Sequence, residues 1–268
     1  MATEDRTDAT DYETWQAEQI ELQREFRASR GYRYFYFIQR FRDAFENWND
    51  EHIELADLLH TYETDPHLIL AITKRDDRAE SDRLIRALDR KILSCMASFW
   101  AVQDQIPKSL GQVASVEVAG EFEKRQSALE MAHEVVPFFK RFRNYVQHHR
   151  SAPWRVHMGW TAGSPWAGQM RLNRDVLIAS KRFSGGAKRF LASQDDSFHF
   201  RPVLLEFGAR WAEHVLWYDE TVRQQGAQAM AEADQLRQAC RAHYASYLDR
   251  QPGGQAGQAV RRSRTWGR

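Results

Sequence analysis

Apolar residues recur at three- and four-residue spacing along most of this 268-residue chain, the period of helices that each turn one stripe toward a core. The pattern predicts a first helix from Tyr12 to Ser29, closing near Gly31, and a long second helix from Tyr32 with Tyr34, Phe35, Ile38, Phe41, Phe45 and Trp48 as its stripe. The second helix continues through Ile53, Leu55, Leu58 and Leu59 and stops before Pro66. The short run Leu68 to Thr73 reads equally as strand or helix, because periodicity does not separate the two over so few residues. Ser81 is an N-cap candidate for a third long helix with the stripe Leu84, Ile85, Leu88, Ile92, Met96 and Phe99, ended by Pro107 and Gly111. A fourth helix runs from about Val116 to His148, with a kink expected at Pro137.

After His149 the pattern changes. Pro153, Gly159, Gly163, Pro165 and Gly168 punctuate two short pieces, Trp154 to Trp160 and Gln169 to Leu172, that suit a small antiparallel hairpin. Helical spacing returns in Val176 to Phe183, in Ala187 to Ser193, strongly in Pro202 to Gly226, and in Ala227 to Arg250. The expected fold class is therefore all-α, a helical bundle with a β-hairpin inserted after the fourth helix. With no internal repeat and no Gly/Ser- or Pro-rich linker, residues 11–250 are expected to form a single helical domain, flanked by a disordered N-terminus (1–10) and a disordered tail (251–268).

Composition changes this picture little until charge is followed along the chain. Hydrophobic residues make up 43% and aromatics 12%, enough to fill a sizeable core. Charged residues nearly cancel to +1, yet Val135 to Arg174 holds Lys140, Arg141, Arg143, Arg150, Arg155, Arg171 and Arg174 with no Asp or Glu. That segment is +7, leaving −6 for the remainder. Cys95 and Cys240 belong to no CxxC or Cys/His spacing, which points away from disulfides and structural zinc and toward a reducing cytoplasm. The acidic N-terminus (Glu4, Asp5, Asp8, Asp11, Glu13) and the lack of an apolar run of about 18 residues argue against secretion and membrane insertion. His133, His157, His199 and His214 show no ligand spacing, so neither metal nor cofactor is expected.

Within the basic segment, Arg143, Asn144, Tyr145, Val146, Gln147 and His148 read RNYVQH at the end of a predicted helix. A guanidinium that stays charged and an imidazole that titrates near neutrality suit the handling of phosphate. With no carboxylate nearby, nothing in the segment competes for Arg143. On a regular helix Asn144 and His148 share nearly one face, but Arg143 lies roughly 140° from His148. Either the helix unwinds after Gln147 or a second copy supplies the missing group. An Arg and a His near a helix C-terminus also cap carbonyl groups and complement the helix dipole, which is the blander reading of the same residues.

An Arg followed by a polar Asn or Asp, then a His after four to six intervening residues at a helix end, resembles the signature of the HEPN superfamily, and RNYVQH has four. The resemblance implies a helical bundle of HEPN type, a homodimer with two motifs at its interface, and metal-independent endoribonuclease activity. It makes Arg143, Asn144 and His148 the catalytic residues: His148 as acid–base, Arg143 neutralising phosphate oxygens, Asn144 orienting the imidazole or the phosphate. The products would carry 2′,3′-cyclic phosphate and 5′-hydroxyl ends, and the biological setting would be a toxin or defence effector with an antitoxin or other protein partner. His149 also lies within the permitted spacing of Arg143, and Arg141 pairs with His148, so two further registers remain open. Arg143 is preferred because it alone carries the adjacent Asn. HEPN toxins paired with nucleotidyltransferase antitoxins have a Tyr two residues after the His, where this chain has Arg150.

RNA would meet Lys140, Arg141, His149, Arg150, Trp154 and Arg155 around this motif. Trp154, Trp160 and Trp166 suit base stacking, although such aromatics more often pack a hairpin onto a bundle. The rival function is a non-catalytic HEPN-like scaffold for RNA or protein.

Overall fold

The computed structural model describes residues 4–73, 78–149, 151–159 and 167–250, with side chains from Tyr12 onward except those of Leu110 and Arg250. Among them run α1 (Glu4–Ala28), α2 (Arg30–Thr64), α3 (Pro66–Thr73), α4 (Arg78–Leu110), α5 (Val116–Ala132) and α6 (Val135–His149). There follow β1 (Trp154–Gly159), β2 (Ala167–Asn173), α7 (Arg174–Ala179), α8 (Gly186–Ser193), β3 (Ser197–His199) and α9 (Phe200–Arg250). The protein is mainly α, and β1, β2 and β3 form one small antiparallel sheet in that order.

Several elements differ from the periodicity-based expectation, each for a physical reason. The ambiguous run Leu68 to Thr73 is helix, begun by Pro66 in a first turn that needs no N–H and by Asp65, whose carboxylate accepts from the His67 amide at 2.8 Å. Ser81 is not an N-cap: α4 starts at Arg78, and the Ser81 hydroxyl donates to the Ile72 carbonyl at 2.8 Å. The predicted fourth helix is two helices. The break falls at His133 and Glu134, so Pro137 stands in the first turn of α6, where its missing amide costs little. Helix α1 begins at Glu4 rather than Tyr12, and the segments expected as 202–226 and 227–250 are one uninterrupted helix.

The chain divides into two compact units, one from Met1–Ile38 with Arg223–Arg268 and one from Gln39–Val222. Both α2 and α9 contribute residues to each unit, which is why no linker composition marks the division. In the first unit a methyl group at Gly226 would stand 2.4 Å from the Tyr34 ring, and one at Gly31 would stand 1.9 Å from the Ala229 carbonyl oxygen. Glycine lets these backbones approach, and the packing offsets the roughly 1 kcal/mol that Gly226 costs inside a helix. Trp15 stacks on Tyr247 at 4.2 Å, and His243 holds Gln19 at 2.8 Å.

The larger unit has an aromatic core. Phe99 meets Phe207 and Trp211 edge-on at 5.1 Å each, and Phe139 stacks on Phe207 at 4.2 Å. His52 and His214 lie in this core, with Nδ1 of His52 and Nε2 of His214 buried and unpartnered. Burial pushes the His52 pKa down to about 4. Burial first, then Lys140 and Arg125, does the same to His214. Both histidines are neutral packing groups at neutral pH. Cys95 is buried and free, and burial pushes its thiol up to about 12, which removes it as a nucleophile.

Candidate functional site on helix α6

Helix α6 is amphipathic because Val135, Val136, Phe138, Phe139, Phe142, Tyr145 and Val146 recur on one side, and all are buried. Phe138 packs on Phe190 at 4.7 Å and stacks on Phe183 at 5.8 Å, while Phe142 meets Phe200 at 5.6 Å. Burying each such ring stabilises by about 1.5–3 kcal/mol, so the rotation of α6 about its axis is set by three phenylalanines. The opposite side carries Arg141, Gln147 and His148 to solvent, with Lys140, Arg143 and Asn144 half-buried.

The helix stays regular through His149, so of the two alternatives the unwinding after Gln147 does not occur. Arg141, Asn144 and His148 therefore fall on one strip, spaced i, i+3 and i+7, within roughly 60° of one another and about 10 Å end to end. Arg143 is off this strip. Its guanidinium lies over the Trp100 ring at 4.7 Å, its Nη1 donates to Asn144 Oδ1 at 2.9 Å, and its Nε is buried without a partner. Within one chain Arg143 thus fixes Asn144 from behind, and the guanidinium that shares a face with His148 belongs to Arg141. His148 is exposed and makes no hydrogen bond, ion pair or ring contact among the described residues. His149 stacks on Tyr145 at 4.2 Å between ring centroids, with planes 17° apart.

The remaining candidates separate into paired and unpaired groups. Lys140 is tied to Glu130, and Arg155 lies 3.7 Å from Asp196. Trp154 is not a stacking platform: its indole N–H donates to Asp89 Oδ1 at 2.9 Å and its ring meets Phe200 edge-on at 5.5 Å. The same carboxylate oxygen accepts the Ala152 amide at 3.1 Å, anchoring the chain where it leaves α6. Arg150, Trp160 and Trp166 lie outside the described residues. The segment that lacks carboxylates in sequence therefore receives several in three dimensions, from α4, α5 and the α8–β3 connection.

An open pocket of about 490 Å³ borders the strip, lined by Arg141 and Asn144 from α6 and by Ser180, Lys181, Arg182 and Ser184 from the α7–α8 loop. The four loop residues were not legible as site residues, because Val176 to Phe183 reads as one short helix and Lys181 and Arg182 look like its solvated face. A second polar cluster also went unmarked in the sequence. Glu63 Oε1, buried in α2, accepts the Met170 amide at 3.0 Å and stands 2.7 Å from His199 Nε2, which fastens α2 to β2 and β3. Among the described residues no group of three or more His, Cys, Asp or Glu side chains is placed to hold a metal ion, and no helix is long and apolar enough to cross a membrane. No protein-family model, curated protein or solved structure matches the chain.

Proposed function

We propose that the protein is a metal-independent endoribonuclease of HEPN type, with His148 as its proton-transfer group. The observation that supports this reading is the strip Arg141–Asn144–His148: an exposed imidazole with no partner among the described residues, in line with an amide and a guanidinium that belong to a pocket whose described lining has no carboxylate. His148 removes the proton from a ribose 2′-hydroxyl; the 2′-oxygen bonds to phosphorus as the bond to the 5′-oxygen breaks. The leaving oxygen takes a proton from solvent and His148 releases its own to solvent, giving a 2′,3′-cyclic phosphate and a 5′-hydroxyl. Arg141 faces the charge that develops on the phosphate oxygens, and Asn144, held by Arg143, is a fixed polar contact beside it.

A homodimer belongs to the same proposal. Arg143 and His148 point to different sides of one regular helix, so the Arg–His pairing that the HEPN motif implies is not met within one chain, and a second copy whose α6 strip lies beside this one supplies a further guanidinium to His148. Incubation of purified protein with total RNA in EDTA tests the activity. Cleavage by the wild type and none by His148→Ala is the expected result; equal cleavage by both, or cleavage by neither, overturns it. The scaffold alternative predicts salt-sensitive RNA binding without products.

A further inference from the structure

The basic residues around α6 differ in their partners: Arg143 rests on Trp100 and Asn144, and Arg171 bonds Ser197 and Gln169. Lys140, Arg155, Arg174 and Arg189 each have a carboxylate within ion-pair distance, from Glu130, Asp196, Asp175 and Glu134 respectively. Arg141, Lys181 and Arg182 have none among the described residues, and these three converge on one pocket. Holding three like charges together without a counter-ion is unfavourable, and an anion seated among them relieves the repulsion. Ser180, Ser184 and Asn144 add two hydroxyls and an amide to the same lining, donors that suit phosphate oxygens.

The loop side of the pocket is fixed before any ligand arrives. Phe183, buried in the middle of the loop, stacks on Phe138 at 5.8 Å and lies 5.7 Å from the Tyr145 ring, so the loop is pinned to the helix that supplies Arg141 and Asn144. The Ser180 amide donates to Leu177 at 3.0 Å, and the Ser180 hydroxyl accepts the Arg182 amide at 3.4 Å. Gly185 then turns the chain into α8 at φ 55°, a conformation other residues adopt only with strain. A volume of about 490 Å³ exceeds what one phosphate fills and falls within the roughly 300–1,000 Å³ of small-ligand sites. The pocket is open to solvent, and His148 lies about 6 Å beyond its lining residue Asn144 along the helix axis.

We propose that this pocket is a phosphodiester-binding subsite for single-stranded RNA, seating a phosphate that neighbours the one presented to His148. Its position next to the scissile bond rests on the ribonuclease reading, whereas its capture of a phosphate group does not. The chemistry it recognises is a phosphate flanked by a solvent-exposed chain, and the loop cations rather than α6 alone set the affinity.

The test uses full-length protein carrying His148→Ala, so that binding is read without turnover, with a fluorescently labelled single-stranded RNA followed by anisotropy across a KCl series. Adding Lys181→Ala and Arg182→Ala is expected to weaken binding about tenfold and to flatten the log–log salt slope by about 1.4, the share of two released counter-ions on a single strand. The control pair Lys188→Ala and Arg210→Ala, which removes the same charge from exposed positions outside the pocket, is expected to change affinity less than about twofold. Equal affinity in the loop variant, or equal loss in both variants, overturns the proposal. Inorganic phosphate is the second arm: displacement of RNA from the parent protein and not from the loop variant supports the site. Phosphate binding at the loop with RNA affinity unchanged by its loss assigns the pocket to a free phosphate and overturns the RNA assignment. Thermal melts accompany each variant, and Lys181→Glu alone replaces the double variant if that fails to fold. A protein that binds RNA through the loop but never cleaves it refutes the enzyme reading and leaves the subsite standing.

Discussion

His52 and His214 sit inside the aromatic core of the larger unit, and His148 sits at the exposed end of α6. The three side chains are chemically identical and their settings are opposite. Core burial holds the first two neutral, with one ring nitrogen of each, His52 Nδ1 and His214 Nε2, buried without a partner, so they serve as flat packing groups among Trp48, Phe122 and Trp211. Exposure leaves His148 in water, with no neighbour among the described residues that occupies its nitrogens. The availability of an imidazole for chemistry follows from which helical face it occupies, and the face is decided by the phenylalanines and tryptophans around it.

The largest effect that sharpens this contrast is on activity. His148→Ala should lower RNA cleavage by about 10²- to 10⁴-fold while its urea midpoint stays at the wild-type value; an equal fall in stability would make His148 a structural residue. Phe139→Ala, which removes the ring stacked on Phe207, should cost about 3–5 kcal/mol in urea unfolding and reduce activity only through loss of folded protein.

Acid should act on the buried pair next. Their folded pKa values of about 4 lie below the ordinary 6.5, so the unfolded chain binds more protons between those limits. Stability contributed by neutral His52 and His214 is complete above pH 6.5 and is lost progressively as pH falls toward 4, by about 3 kcal/mol for each. Urea titrations at a series of pH values, compared with His214→Phe, check the sign and the size; a stability that does not fall over this window contradicts the core assignment. Gly208→Ala is smaller in effect: a methyl group there would stand 2.0 Å from His52 Nε2, and the resulting overpacking should cost about 1–3 kcal/mol.

The same contrast shows why some of the molecule was legible in its sequence. The stripes of α4 and α6 follow from periodicity because each has one buried face, and the antiparallel pair of β1 and β2 follows from the turn residues around it, with β2 alone alternating buried positions. Strand β3 is three residues long and carries no alternation to detect; it exists because Phe198 is buried and Leu172 lies opposite it in the sheet. The continuity of α9 through Gly226 depends on the Tyr34 ring, a contact between distant parts of the chain. At the candidate site the motif gave the helix end and the acid-free flank. It did not reveal that Arg143 turns onto Trp100, that Lys140 and Arg155 meet carboxylates from elsewhere, or that Lys181 and Arg182 arrive from the α7–α8 loop. Helical geometry converts sequence spacing into faces, but only packing tells which guanidinium remains open to solvent.

The most direct measurement is a titration of histidine-ring-labelled protein with single-stranded RNA made non-cleavable by 2′-O-methylation, followed by NMR and assigned with single His→Ala variants. The account predicts that the His148 ring resonances shift with RNA in the presence of EDTA while those of His52 and His214 stay in place. A titration that leaves His148 unmoved, with RNA bound, would contradict it.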